Sequence, residues 1–142
     1  MTVIVKGLRE AIAALEEKNA QIDAATKLAT AKVLHLIEKR TKDKLGQRSH
    51  QRGTPTPSGP GEPPALITGN LWRSISVFGP DAVGAGAWRG AVGPTAIYGR
   101  VQELGGGPRN LPARPSLTPS YEELRLDIPA IYREAWTAAI FK

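Results

Sequence analysis

The chain has 142 residues, 41% of them hydrophobic, no cysteine and a formal net charge of +6. That length suits one domain, residues 1–142, able to bury about 68% of the surface its unfolded form exposes. The missing thiols exclude disulfides, thiolate metal sites and cysteine nucleophiles, and no apolar run approaches the roughly 20 residues of a membrane span.

The basic balance has two readings. One is contact with nucleic acid; the other is a surface that serves solubility or an acidic neighbour. The absence of a recognised nucleic-acid motif favours the second.

Val3-Ile4-Val5 is short, adds as a strand to a sheet formed later, and offers no secretory apolar region. Gly7 interrupts it. From Leu8 to about Leu45 there is no proline and no interior glycine. Leu8, Leu15, Ile22, Ala29 and Leu36 recur every seven residues, with Ile12, Thr26 and Val33 beside them and Asn19 as a polar break. This spacing predicts one long amphipathic helix. A coiled coil shares the pattern. The alanine-rich, partly polar seam favours packing on the chain's own sheet, with reach toward a neighbouring subunit.

Toward the end of this helix Lys39, Arg40, Lys42, Lys44, Arg48 and Arg52 outnumber Glu38 and Asp43. They complement the helix dipole, or they form a basic patch facing DNA or an acidic partner. His35 and His50 lack ligand-spaced companions, so no metal site is expected. About residues 46–62 are rich in Gly, Pro, Ser, Thr and Gln and nearly devoid of apolar side chains. This predicts a mobile loop inside the domain.

The next stretch organises the rest. Pro63-Pro64 hold the chain extended. Thr68 is placed to cap one helical turn bearing Leu71 and Ile75, and a strand follows from Ile75. Gly79-Pro80-Asp81 and Gly84-Ala85-Gly86 mark a hairpin turn region leading to a strand over Ala87–Val92, with Trp88 and Val92 on one face. Thr95 is placed to cap a helix bearing Ile97, Val101 and Leu104, which Gly105 ends. Thr118 with Pro119 marks another helix start. The last helix carries Tyr121, Leu124, Ile128, Ile131, Ala135, Trp136 and Ile140 on its apolar face. Pro129 kinks it, or divides it so that Asp127 caps a second segment. The expected fold is α+β: a small, mainly antiparallel sheet packed by a long N-terminal helix and a C-terminal helix.

Catalytic chemistry is not evident. Gly84-Ala85-Gly86 lacks a βαβ setting, Gly105-Gly106-Gly107 lacks the lysine of a phosphate loop, and no serine sits in a nucleophile elbow. The chain is read as a non-enzyme with no cofactor.

Four segments resemble the HK97 gp10-like family of tailed-bacteriophage proteins. They are Val5-Lys6-Gly7-Leu8-Arg9-Glu10; Pro60-Gly61-Glu62-Pro63-Pro64 running into Thr68-Gly69-Asn70-Leu71-Trp72-Arg73-Ser74-Ile75; Tyr98-Gly99-Arg100-Val101-Gln102-Glu103-Leu104-Gly105 after Val92-Gly93; and Pro112-Ala113-Arg114-Pro115-Ser116-Leu117-Thr118-Pro119. The second is the most specific. Gly99 replaces the usual alanine, Leu104 the usual aromatic and Ser116 the usual phenylalanine. The resemblance implies a virion component at the head–tail junction, of the neck or tail-completion class, acting as a ring subunit among neighbouring neck and tail proteins. A tail terminator capping the tail tube is the alternative within that class. A basic DNA-binding module on Lys39–Arg52 is the alternative from another class, and non-specific contact with packaged DNA is compatible with either. No membrane role is implied. Thr68, Gly69, Leu71, Ile75, Tyr98, Gly105 and Pro115 are expected to determine the fold. Arg48, Arg52, Arg73, Arg100, Glu103 and Arg114 are expected to contact subunits or partners.

Overall fold

The computed structural model describes residues 7–54 and 58–141. Helix α1 runs over Leu8–Gly46, a rod about 58 Å long at 1.5 Å per residue. A short helix α2 (Asn70–Ser74) leads into an antiparallel hairpin of β1 (Ile75–Gly84) and β2 (Ala87–Pro94). Three helices follow: α3 (Gly99–Leu104), α4 (Leu117–Leu124) and α5 (Ile128–Ile140). The fold is α+β, with the hairpin, α4 and α5 all packed on α1. The expected N-terminal strand Val3–Val5 lies outside the described residues.

The hairpin is longer than expected, because Gly79-Pro80-Asp81 belongs to β1 and not to the turn. Gly79 has φ +87°, and a Cβ there would sit 2.8 Å from the Arg89 carbonyl oxygen, so only glycine fits this close approach. The register shifts between Phe78 and Asp81, a bulge after which Asp81 lies opposite Arg89. The reversal itself falls on Ala85-Gly86.

The hairpin and α5 grip α1 through named contacts. Trp88 donates from Nε1 to Asp23 at 2.8 Å, and the Lys27 ammonium stands 5.0 Å from the Trp88 ring centre. Helix α5 runs antiparallel to α1. Tyr132 meets the Thr30 hydroxyl, Trp136 donates to the Thr26 hydroxyl, and the Lys18 ammonium reaches the Ile140 carbonyl. Pro129 divides the C-terminal helix as one of the two expectations has it. Asp127 takes the N-cap position of α5 but makes no side-chain cap.

Among the described residues the buried apolar ones are Ala29, Val33, Leu34, Leu45, Ile75 and Leu124. At about 1.5–3 kcal/mol per fully buried large aliphatic side chain, this core stabilises modestly for the chain's length. Thr41 and Ser120 are fully buried, and each satisfies its hydroxyl on the carbonyl four residues back. The seven-residue seam is therefore covered in only one half. Ala29 and Val33 are buried, but Leu8, Ile12 and Leu15 are exposed. The physical reason is reach. Helix α5 ends level with Lys18, so nothing described covers α1 on the N-terminal side of that point.

The loop after α1, expected to be mobile, is fastened to the rest of the chain where it is described. The His50 and Leu66 amides exchange hydrogen bonds with Leu66 and Arg48 carbonyls, and Ser58 is buried. The Gly61 amide donates to the Ala113 carbonyl at 2.8 Å. Backbone pairing and a neighbouring loop supply what the loop's own side chains lack.

Candidate functional site

Three of the motif segments, far apart in sequence, meet at one end of α1. Around them lies a cleft of about 190 Å³. Leu45 and Leu71 contribute apolar wall, and Thr68, Tyr98, Gln102 and Arg114 contribute polar groups. The Arg114 amide donates to the Gln102 carbonyl at 2.7 Å, which ties the Pro112–Pro115 run to α3.

Glu103 does structural work here. Its carboxylate accepts the Ser116 amide at 2.8 Å, the Leu117 amide at 3.1 Å and the Thr118 amide at 2.7 Å. These are the otherwise orphaned donors at the start of α4. Burial pushes the Glu103 carboxyl up, but the Ser116, Thr118 and Leu117 amides outweigh it, so its pKa lies below the usual carboxylate range. Thr118 is thus not the N-cap of α4. Ser116 holds that position, and a carboxylate from α3 supplies the cap. Glu103 was expected at a partner; it is engaged within the chain.

Gly105 ends α3 as expected, donating its amide to the Val101 carbonyl at 2.8 Å. With φ +74°, a Cβ there would lie 2.8 Å from the Ala113 amide nitrogen, so the glycine permits the two motif runs to touch. Gly99 is buried against Pro94: an added Cβ would come 2.4 Å from the proline Cγ. That close approach leaves no room for the methyl group of an alanine.

Other expected roles shift. Thr68 does not cap α2. Gly69 does so by position in the left-handed region, while the Thr68 hydroxyl accepts the Asn70 amide at a long 3.4 Å. Thr95 does not cap α3, because its hydroxyl and amide both go to the Ser74 carbonyl. Tyr98 takes the N-cap position, and Ile97 lies outside the helix in solvent. Ile75 belongs to the core, Leu71 and Pro115 are half-buried, and Tyr98 is exposed and not core.

The arginines separate into three groups. Arg73 curls over its own turn, donating to the Thr68 carbonyl at 2.8 Å and to the Asn70 side chain at 3.1 Å. Arg48 pairs with Glu62 at 2.6 Å; the Gly59 amide and the Arg48 charge together lower the Glu62 pKa. Arg52 and Arg100 are exposed, away from the cleft walls. Arg114 is half-buried in the cleft wall, and its Nε is buried with no hydrogen-bond partner among the described residues. An unmatched buried donor of this kind costs about 1–3 kcal/mol.

Four cations of the basic segment pair with three carboxylates. Lys42 pairs with Glu38, Lys44 and Arg40 with Glu123, and Arg48 with Glu62. The Lys42 ammonium also lies 5.2 Å from the Trp72 ring centre, whose Nε1 donates to the Lys42 carbonyl. His35 does have a carboxylate neighbour, Glu38 at 3.1 Å. Among the described residues no group of three or more histidines and carboxylates gathers to hold a metal ion. No described helix is long and apolar enough to cross a membrane.

The arrangement defines a class: a small α+β body whose motif residues build a packed junction at one end of a long helix, with Glu103 and Arg73 engaged in hydrogen bonds within the chain. No protein-family model, curated protein or solved structure matches the chain.

Proposed function

We propose that this protein is a structural subunit of a tailed-bacteriophage virion, working as a member of a ring at the head–tail junction. The observation that carries the reading is the convergence of the motif runs. Residues 60–75, 98–105 and 112–119, each singled out by family resemblance, interlock through the Gly61–Ala113 and Arg114–Gln102 backbone bonds and the Glu103 cap. A motif set that codes for one junction is what a shared fold demands. The open body supports a role in assembly, because large apolar side chains on α1, α3 and the C-terminal end of α5 are exposed. The DNA-binding alternative loses ground, since Arg40, Lys42, Lys44 and Arg48 already pair with carboxylates.

The test is localisation. Electron microscopy of purified particles carrying a labelled copy should show a closed ring of this protein between head and tail. Particles lacking the protein should accumulate as separated heads and tails, or as tails of defective length. Absence of the protein from infectious particles overturns the reading.

A further inference from the structure

The cleft built by the motif segments is electrically one-sided. Among the described residues that line it, Arg114 alone carries a charge. Its Nε is buried with no hydrogen-bond partner among the described residues. No carboxylate of the chain answers it. All 13 aspartates and glutamates lie among the described residues, and none of them pairs with Arg114. Glu103, on the helix to which the Arg114 backbone is tied, is engaged by three amides at the start of α4. Lys42, beside the Trp72 ring, adds no free charge because it pairs with Glu38 at 2.7 Å. A half-buried cation without a counter-charge favours an anion from outside the chain.

The neutral groups of the wall are mainly donors. The Asn70 side-chain oxygen accepts Arg73 at 3.1 Å, which leaves the amide NH2 to donate. The Thr68 hydroxyl oxygen accepts the Asn70 amide, which leaves its own proton. The Leu66, Thr68 and Gln102 carbonyls each accept a bond already, from His50, Arg73 and Arg114. The rest of the wall includes Leu45, Leu66, Ile67 and Leu71. Leu45 is 2% exposed and Ile67 43%, so this apolar side runs from a buried floor to an open rim. The cleft volume of about 190 Å³ corresponds to about six water molecules at ~30 Å³ each.

We propose that this cleft binds a monocarboxylate with a short apolar stem, its carboxylate on the Arg114 guanidinium and its stem along Leu45 and Leu71. One guanidinium balances one carboxylate, and its planar fork matches the two oxygens. A phosphate dianion brings a second charge that nothing in the wall balances. Two oxygens and about four carbons match the volume, the size of butanoate. A free acid and the C-terminal carboxylate of a peptide that ends in an apolar residue share this chemistry. The site goes beyond the ring reading and does not rest on it, because binding is read on the isolated subunit.

The test titrates the full chain with butanoate at constant ionic strength and follows its amide NMR shifts. Butanoate should bind with a millimolar Kd and move the Ile67, Thr68, Gly69 and Tyr98 amides saturably. Butanamide has the same shape without the charge and should bind at least tenfold more weakly. Arg114→Met, with a melting curve to check the fold, should lose butanoate affinity at least tenfold. An N-acetylated Ala-Ala-Leu peptide and its C-terminal amide then separate the two sources. A peptide acid that binds at least tenfold tighter than butanoate, with its amide weak, assigns the site to a chain terminus. Any smaller gain assigns it to a free acid. Shifts that do not saturate, equal affinity for butanamide, or an Arg114→Met variant that folds and binds as wild type each overturn the proposal. Should Arg114→Met fail to fold, the comparison of butanoate with butanamide on wild type decides.

Discussion

Replacing Glu103 tests whether one side chain on α3 starts α4. In Glu103→Ala, the Ser116, Leu117 and Thr118 amides lose a charged acceptor that now sits 2.7–3.1 Å away. Loss of an ordinary N-cap costs about 0.5–2 kcal/mol, and a hydrogen bond to a charged group is worth about 1.5–3 kcal/mol. The carboxylate is only half-buried, and water takes over part of the role, so a net loss of about 1–2 kcal/mol is expected. For a chain of this size that lowers Tm by about 3–7 °C. Glu103→Gln keeps an oxygen acceptor and should lose about half as much.

The pH dependence isolates the charge. The Glu103 pKa is lowered below the usual 4.5 in the folded state, so its contribution is present above the unfolded value and is lost as pH falls through the folded one. The stability gap between wild type and Glu103→Gln should therefore be full at pH 6–7 and shrink as the pH drops below about 4.5. Urea titrations at several pH values measure it. A Tm of Glu103→Ala within 1 °C of wild type, or a gap that does not change with acid, would refute the capping argument.

Further outcomes follow from the same contacts. Gly105→Ala should cost about 1–3 kcal/mol in urea midpoint measurements, since it adds both left-handed strain and a clash with Ala113, whereas Gly46→Ala at an open helical site should be neutral or slightly stabilising. Arg114→Met removes an unmatched buried donor while keeping the apolar stem, so thermal stability should hold within about 1 kcal/mol; a larger loss would show that the guanidinium has partners in the fold. Binding to duplex DNA should be weak and gone by physiological salt, given the paired cations, and a tight, sequence-selective complex in a salt titration would reverse that view. Asp23→Ala should shift Trp88 fluorescence and cost about 1 kcal/mol, through the lost indole hydrogen bond.

Local chemistry made much of this protein legible. An unbroken run without proline or interior glycine is enough to draw α1 from Leu8 to Gly46 within a residue of its expected end, because helix continuity depends on neighbours three and four apart. Gly105 as a helix stop and Pro129 as a divider are likewise local facts. Periodicity, however, marks only a face that wants cover. Which half of that face is covered depends on where the chain returns, and α5 stops level with Lys18. The same limit explains the misplaced caps. Thr68, Thr95 and Thr118 all have the right chemistry for an N-cap, but an amide takes whichever acceptor the tertiary fold brings nearest. At α4 that is Glu103, thirteen residues before Ser116 in sequence, and no spacing rule links the two. The basic segment reads as a patch along the chain, and only folding sets Glu62 beside Arg48 and Glu123 beside Lys44. The sequence by itself thus determined the long helix, the breaks after it and the motif residues. The tertiary structure alone decided which charges are paired, which amides are capped and which apolar surfaces stay exposed, because those depend on contacts between residues distant in the chain.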